Sequence, residues 1–292
     1  MATVGQWIEG ARLRTLPMAI APVIVGTAAA YDLGGLHWPR AVLAALVALL
    51  LQIGVNYAND YSDGIRGTDD MRVGPLRLVG SGVAKPGHVK LAAFAALGLA
   101  MVAGLALVIL SQAWWLLLVG AGAVLAAWGY TGGRNPYGYR GLGDVFVFVF
   151  FGPVATLGTT YTQAGSVSAA AVIGSISTGL IAVALLMANN VRDIPTDTEV
   201  GKRTLAVRLG DANARRSYVA MLAVSLLIVM VLVPAKPWLL LVLLLVPAML
   251  MPSWLMLTGK ARKALIPVLK QTGLINLGFS LLFAAAMVLT HL

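Results

Sequence analysis

Seven of the eleven acidic residues lie in two short polar segments, Asp60, Asp63, Asp69 and Asp70 in the first and Asp193, Asp197 and Glu199 in the second. Amides accompany them. Asn56, Asn59, Asp60 and Asp63 fall at offsets 0, 3, 4 and 7, and Asn190, Asp193 and Asp197 at offsets 0, 3 and 7. On a helix each set forms one stripe of oxygens. Asn59 precedes Asp63 by four positions as Asn189 precedes Asp193, a weak internal repeat in parallel orientation.

Two such stripes facing a common point are a ligand set for a hard divalent cation. Mg²⁺ takes oxygen ligands, keeps several waters and is commonly held by one or two carboxylates together with substrate phosphates. The pair can hold two or more Mg²⁺ ions around a diphosphate. Arg72, Arg77, Arg134, Arg140, Lys202 and Arg203 lie in three nearby connections and can neutralise phosphate oxygens. Carboxylates alone would repel a diphosphate, so metal is implied. The competing reading makes the acids solvated loop residues and the bases mere topology signals. Asp70, Glu199 and Asp211 need no more than that. Asp144, directly after Gly143, fits either charge placement at a helix N-terminus or a place in the site.

The elements that must position these stripes are set by an apolar chain. Of 292 residues 59% are hydrophobic and 11% charged, and the mean hydropathy is +0.87, which excludes an ordinary soluble domain. With about 20 apolar residues per crossing, spans are expected at 15–33, 39–58, 89–110, 113–131, 144–163, 167–188, 213–233, 238–257 and 268–290. The expectation is an all-α membrane protein of nine transmembrane helices in one domain over residues 1–292. Arg12 and Arg14 before the first apolar run, and the small residues Thr27 to Ala30 within it, imitate a cleaved signal; the run is read as the first helix.

Nineteen of the 21 Lys and Arg residues fall in connections on one face, and only Arg40 and Lys236 on the other. The positive-inside bias makes the rich face cytoplasmic, together with the N-terminus and both acidic segments, which four crossings separate. The expected location is the cell membrane. The net charge of +10 follows from this topology rather than from nucleic-acid binding, because no compact basic domain carries it. The absence of Cys excludes disulfides and thiolate ligands.

Between the fourth and fifth spans, Gly132 to Gly141 holds Gly, Pro and Asn with Arg134, Tyr137, Tyr139 and Arg140, a shaped turn that can form a third wall of a pocket on this face. Tyr130, Tyr137, Tyr139 and Tyr161 can stabilise a carbocation by their ring faces or anchor helices at the interface.

These residues resemble a known family. Asn59-Asp60-Tyr61-Ser62-Asp63 with Gly67-Thr68-Asp69, Gly74-Pro75 and Arg77 is similar to the first aspartate-rich motif of the UbiA superfamily of intramembrane prenyltransferases. Asn189-Asn190-Val191-Arg192-Asp193-Ile194-Pro195-Thr196-Asp197, followed by the run from Gly201 to Gly210, resembles the second. Within the superfamily, Arg14-Thr15-Leu16-Pro17, the Gly67-x-Asp69 spacing, Tyr130-Thr131-Gly132-Gly133 and Leu142-Gly143-Asp144 resemble the branch that prenylates 1,4-dihydroxy-2-naphthoate. Where the wider superfamily often has the last acid of the first motif, this chain has Gly67, and Asp69 stands two positions further on.

The resemblance implies nine helices around a central cavity open to the cytoplasmic side, with a lateral opening for a prenyl tail. It implies Mg²⁺-dependent ionisation of a polyprenyl diphosphate and transfer to 1,4-dihydroxy-2-naphthoate with loss of CO₂, giving demethylmenaquinone. Asp63, Asp193, Asp60 and Asp69 would be catalytic, with Asn59, Asp63, Asp193 and Asp197 as metal ligands. Lys202, Arg134, Arg140, Arg72 and Arg77 would bind the diphosphate. Two rivals stay open at this stage: a superfamily enzyme with another acceptor, such as 4-hydroxybenzoate, homogentisate, a tetrapyrrole or a phosphosugar, and a cation transporter. Transporters commonly use inverted repeats around midplane sites, whereas the repeat here is parallel and sits at span ends.

Overall fold

Proline marks where several long helices begin. Pro17, Pro39, Pro86 and Pro267 each occupy a first helical turn, where the missing N–H has no partner to lose and φ is already set. The computed structural model describes residues 2–67, 76–259 and 262–292, and the regular elements among them are helical.

The helices, in chain order, are α1 (Val4–Gly10), α2 (Leu16–Asp32), α3 (Trp38–Gly64), α4 (Pro86–Ser111), α5 (Leu116–Gly129), α6 (Gly143–Val149), α7 (Ala155–Ala164), α8 (Ala169–Glu199), α9 (Leu205–Leu209), α10 (Asp211–Leu227), α11 (Val246–Leu257) and α12 (Ile266–Leu289). A wide turn over Phe150–Val154 joins α6 to α7 at Pro153, which cannot donate to the preceding turn. Tighter turns extend α10 to Leu232 and precede α11 from Pro237.

Eight of the resulting segments among the described residues are long and apolar enough to cross a membrane. The ninth expected span is α5, which has 14 residues and at 1.5 Å per residue runs about 21 Å, short of the roughly 30 Å hydrocarbon core. The chain is a multi-pass membrane protein. The first span is built into the bundle, with Ala21, Val25, Ala29 and Ala30 of α2 fully buried.

The main departure from the expected boundaries lies at the acidic segments. A hydropathy criterion ends helices at 58 and 188, where polar residues begin, but α3 continues to Gly64 and α8 to Glu199. The backbone ladder needs no apolar side chains, and Pro195 removes one bond without ending the helix. Both acidic stripes are therefore helical and rigidly placed.

Packing holds α8 at the centre. Ile181, Met187 and Val191 of α8 meet Tyr218 and Leu222 of α10 and Phe279 and Phe283 of α12 in one apolar cluster. Helix α3 lies along α4, and α2 packs on α12 and α7. Close approach depends on glycine where it must: a Cβ on Gly152 would stand 2.6 Å from the Ser175 carbonyl oxygen and 3.0 Å from the Gly179 Cα.

The two cations expected on the sparse face do occupy one end of the bundle. Arg40 donates to the carbonyls of Thr162 at 3.0 Å and Leu110 at 2.6 Å, at the C-terminal ends of α7 and α4, where a cation complements the helix dipole. Lys236 pairs with Asp32 at the end of α2, and His291 Nε2 lies 2.9 Å from the same carboxylate. The acidic stripes end at the opposite end of the bundle.

Candidate active site

Helix α3 presents Gln52, Asn56, Asn59 and Asp63, at offsets 0, 4, 7 and 11, to a cavity of about 530 Å³. From α8, Asn189, Asn190, Asp193, Thr196 and Asp197 face the same space. Asn59, Asp63, Asn190, Asp193 and Asp197 are all buried. The structure thus brings together the four residues expected to hold metal.

Asp60 goes elsewhere. One helical step from Asn59 turns it off the cavity stripe, and its carboxylate accepts from the backbone N–H groups of Leu78 at 2.7 Å and Val79 at 3.0 Å. The contact expected of it as a catalytic acid is replaced by an anchor for the segment after α3. Asp69 and Arg72 lie outside the described residues.

The carboxylates are held by cations and hydroxyls. Tyr139 donates to Asp63 Oδ1 at 2.7 Å, Arg77 donates to Asp63 Oδ2 at 3.5 Å, and Lys202 Nζ stands 3.7 Å from Asp63 Oδ1 and 4.0 Å from Asp197 Oδ1. Asp193 receives a two-pronged contact from its neighbour Arg192, Nε to Oδ1 at 2.7 Å and Nη2 to Oδ2 at 2.6 Å. Arg192 also donates to Asn189 Oδ1 at 2.8 Å, and it is among the largest fully buried side chains. A buried carboxylate in an apolar chain needs such compensation. Charge patterning alone makes Arg192 one more cytoplasmic-face cation; its place between Asn189 and Asp193 in the second motif is the signal in the sequence that it belongs to the site.

The loop from Gly132 to Gly141 forms the third wall as expected, through particular contacts. Thr131 donates its hydroxyl to Asn59 Oδ1 at 2.7 Å. Tyr139 accepts at its carbonyl from Arg203 N at 2.8 Å, and Lys202 Nζ lies 4.4 Å from its ring centroid. Arg66 clasps the carbonyls of Thr131 and Gly133. Tyr137 donates to the Ala126 carbonyl at 2.8 Å, and burial pushes its hydroxyl above the ordinary phenol range, so it stays neutral.

The expected diphosphate binders separate into two groups. Lys202 and Arg77 line the cavity. Arg134 and Arg140 lie with Arg203 and Arg208 around a second, outer pocket on the far side of Tyr139. Arg208 is fixed there by the carbonyls of Arg140 at 2.8 Å and Arg203 at 3.2 Å.

Away from this polar end the cavity is apolar, walled by Leu105 and Val108 of α4, Val124 of α5, and Phe150, Phe151 and Val154 around the wide turn. The shape suits an amphiphile with a polyanionic head and a hydrocarbon tail. Comparison with known sequences decides the matter: residues 19–277 match the UbiA prenyltransferase family. The chain belongs to the UbiA prenyltransferase family.

Relatives within this family are similar over three quarters or more of this chain. A 1,4-dihydroxy-2-naphthoate octaprenyltransferase from Mycobacterium tuberculosis is 52% identical over 98% of both chains. The Escherichia coli protein of the same name is 44% identical over 75% of this chain and 73% of its own. Among solved structures, a UbiA homolog from Aeropyrum pernix superposes with a TM-score of 0.69 at 16% identity, over 94% of this chain and 98% of that one. A UbiA homolog from Archaeoglobus fulgidus bound to DMAPP and Mg²⁺ superposes with a TM-score of 0.68 at 16% identity, over 98% of both chains. At that identity the likeness concerns the UbiA fold.

The residues present fit a divalent cation shared with phosphate. The amide and carboxylate oxygens of Asn59, Asp63, Asn190, Asp193 and Asp197 border one cavity. Lys202, Arg77 and Arg192 balance their charge there.

Proposed function

We propose that this chain transfers a polyprenyl group from its diphosphate to 1,4-dihydroxy-2-naphthoate, with loss of CO₂, giving the prenylated naphthoquinol, the reduced form of demethylmenaquinone, and that it requires Mg²⁺. The observation that carries the reading is the single cavity with two amide and carboxylate stripes at one end and hydrocarbon walls at the other. Similarity to enzymes named for this reaction, at 52% and 50% identity over nearly the full chain, supports the acceptor.

Asn59, Asp63, Asp193 and Asp197 would hold Mg²⁺, which supplies Lewis-acid stabilisation to the departing diphosphate. Lys202 and Arg77 bind the phosphate oxygens and fix the C1–O bond toward the cavity. Tyr139 keeps Asp63 in place by its hydroxyl, and its ring, next to Lys202, closes the polar end. The apolar walls exclude water while the C1–O bond breaks and its electron pair leaves with the diphosphate. An electron-rich ring carbon of the acceptor then forms the new C–C bond. In the net reaction the carboxylate leaves as CO₂ and its bonding pair stays with the ring.

The end of the bundle bearing the acidic stripes faces the cytoplasm of a cell membrane, by the bias of 19 basic residues to two. A soluble acceptor and diphosphate meet the lipid-borne tail there. The test uses purified protein in lipid with Mg²⁺, a polyprenyl diphosphate and a panel of acceptors, with products read by mass spectrometry. Prenylated naphthoquinol and CO₂ are expected. Turnover of 4-hydroxybenzoate with none of the naphthoate would overturn the acceptor.

A further inference from the structure

The outer pocket behind Tyr139 takes no part in the chemistry above. It has a volume of about 450 Å³, and four arginines, Arg134, Arg140, Arg203 and Arg208, stand around it with Asn135. Among the described residues no acidic side chain lines it. The positive-inside bias asks for basic residues at this end of the bundle, but not for four of them around one concavity. Separate parts of the chain supply them: the loop before α6, the loop after α8, and α9.

These parts are stitched together through their backbones. Arg203 N donates to the Tyr139 carbonyl at 2.8 Å. Arg208 donates from Nη2 to the Arg140 carbonyl at 2.8 Å and from Nε to the Arg203 carbonyl at 3.2 Å, so one guanidinium spans both loops. Gly141 permits that approach. Its φ of 77° is left-handed, and a Cβ there would stand 2.8 Å from Arg208 Nε and 2.9 Å from the Arg203 carbonyl oxygen.

The pocket is thus a pre-shaped concavity with an unbalanced charge. Arg134, Arg140 and Arg203 are exposed, and no carboxylate in the pocket offsets them. Like charges gathered in this way repel, and water screens the repulsion only in part. A polyanion that meets several guanidinium groups at once removes the repulsion and gains charge-assisted hydrogen bonds.

We propose that the outer pocket is a second, non-catalytic binding site for a phosphate polyanion of diphosphate size. Guanidinium forks match phosphate oxygens in pairs, and four of them around one space suit two linked phosphate groups better than one. Tyr139 is the partition, lining both the pocket and the cavity. Asp63, Asp197 and Lys202 lie on the cavity side, so an anion in the outer pocket is kept from those carboxylates and needs no metal to bind. Two sources share this chemistry: free inorganic diphosphate, and the phosphate headgroup of an anionic lipid at this end of the bundle. Only the first depends on the transfer proposed above; the pocket does not.

The test measures equilibrium binding of labelled inorganic diphosphate to the full chain in phosphatidylcholine nanodiscs, with a chelator present so that no metal bridges the anion to the cavity carboxylates. Wild-type protein is expected to bind it saturably. Arg140→Gln with Arg203→Gln should weaken binding about tenfold or more, the corresponding pair of Lys substitutions should recover part of the loss, and Lys202→Met should stay within about twofold of wild type. Mass spectrometry of protein released from nanodiscs that also contain phosphatidylglycerol identifies the source. Phosphatidylglycerol retained by wild type and lost from the Gln variant assigns the lipid headgroup; its absence from both, with diphosphate bound as expected, assigns the free anion. Neither ligand bound by wild type without metal, or diphosphate binding lost in Lys202→Met and kept in the Gln variant, would overturn the site.

Discussion

Lys202 Nζ lies 3.7 Å from Asp63 Oδ1, so the loop after α8 is joined to the carboxylate at the end of α3. The same ammonium is 4.0 Å from Asp197 Oδ1 and 4.4 Å from the centre of the Tyr139 ring. One cation thus meets both acidic stripes and the third wall. Lys202→Met is expected to raise the KM for prenyl diphosphate about tenfold or more while leaving that for the acceptor nearly unchanged, and Lys202→Arg to recover part of it. Steady-state kinetics with each substrate varied in turn reads the split.

Tyr139 orders that arrangement through its hydroxyl on Asp63 at 2.7 Å. Tyr139→Phe keeps the ring beneath Lys202 and removes one hydrogen bond to a buried carboxylate. Turnover should fall about tenfold, with a higher Mg²⁺ concentration needed for half-maximal rate. A Mg²⁺ titration of the variant checks this, and an unchanged midpoint would count against a positioning role.

Asp60 should behave as a structural residue despite its place in the motif. Asp60→Ala strands the backbone donors of Leu78 and Val79, at a cost of about 2–4 kcal/mol for the two. Thermal unfolding in detergent should show the loss, and protein that remains folded at low temperature should keep much of its turnover.

Arg134 and Arg140 border the outer pocket rather than the cavity. Replacing both by Ala is expected to change the prenyl diphosphate KM less than Lys202→Met does, by about threefold or less, as exposed charges are screened by water and salt. Parallel kinetics of the double variant and Lys202→Met decides it.

Much of this architecture is readable in the sequence because lipid imposes it. Hydropathy places eight of the spans and marks α5 as apolar, and the two lone cations Arg40 and Lys236 do share one end of the bundle. Spacing puts Asn59, Asp63, Asp193 and Asp197 on cavity-facing stripes. What spacing does not separate is Asp60 from Asp63, because both lie within one helical arc and only the loop packed behind α3 draws Asp60 away. Spacing alone does not pair Arg192 with Asp193 for a related reason: neighbours in sequence do not face one another on a helix, and only a long, buried guanidinium bends back onto Asp193. Arg134 and Arg140 look equivalent to Lys202 by charge, yet Tyr139 stands between them and the cavity.

The central claim is that the two stripes act together on one diphosphate. The most direct measurement is Mg²⁺-dependent diphosphate release from a polyprenyl diphosphate with 1,4-dihydroxy-2-naphthoate present, for wild-type, Asp63→Asn and Asp193→Asn proteins shown to be inserted and folded. The account predicts release that stops on chelation and returns with Mg²⁺, and a fall of about a thousandfold in each variant. Wild-type rates in either variant, or release indifferent to chelation, would contradict it.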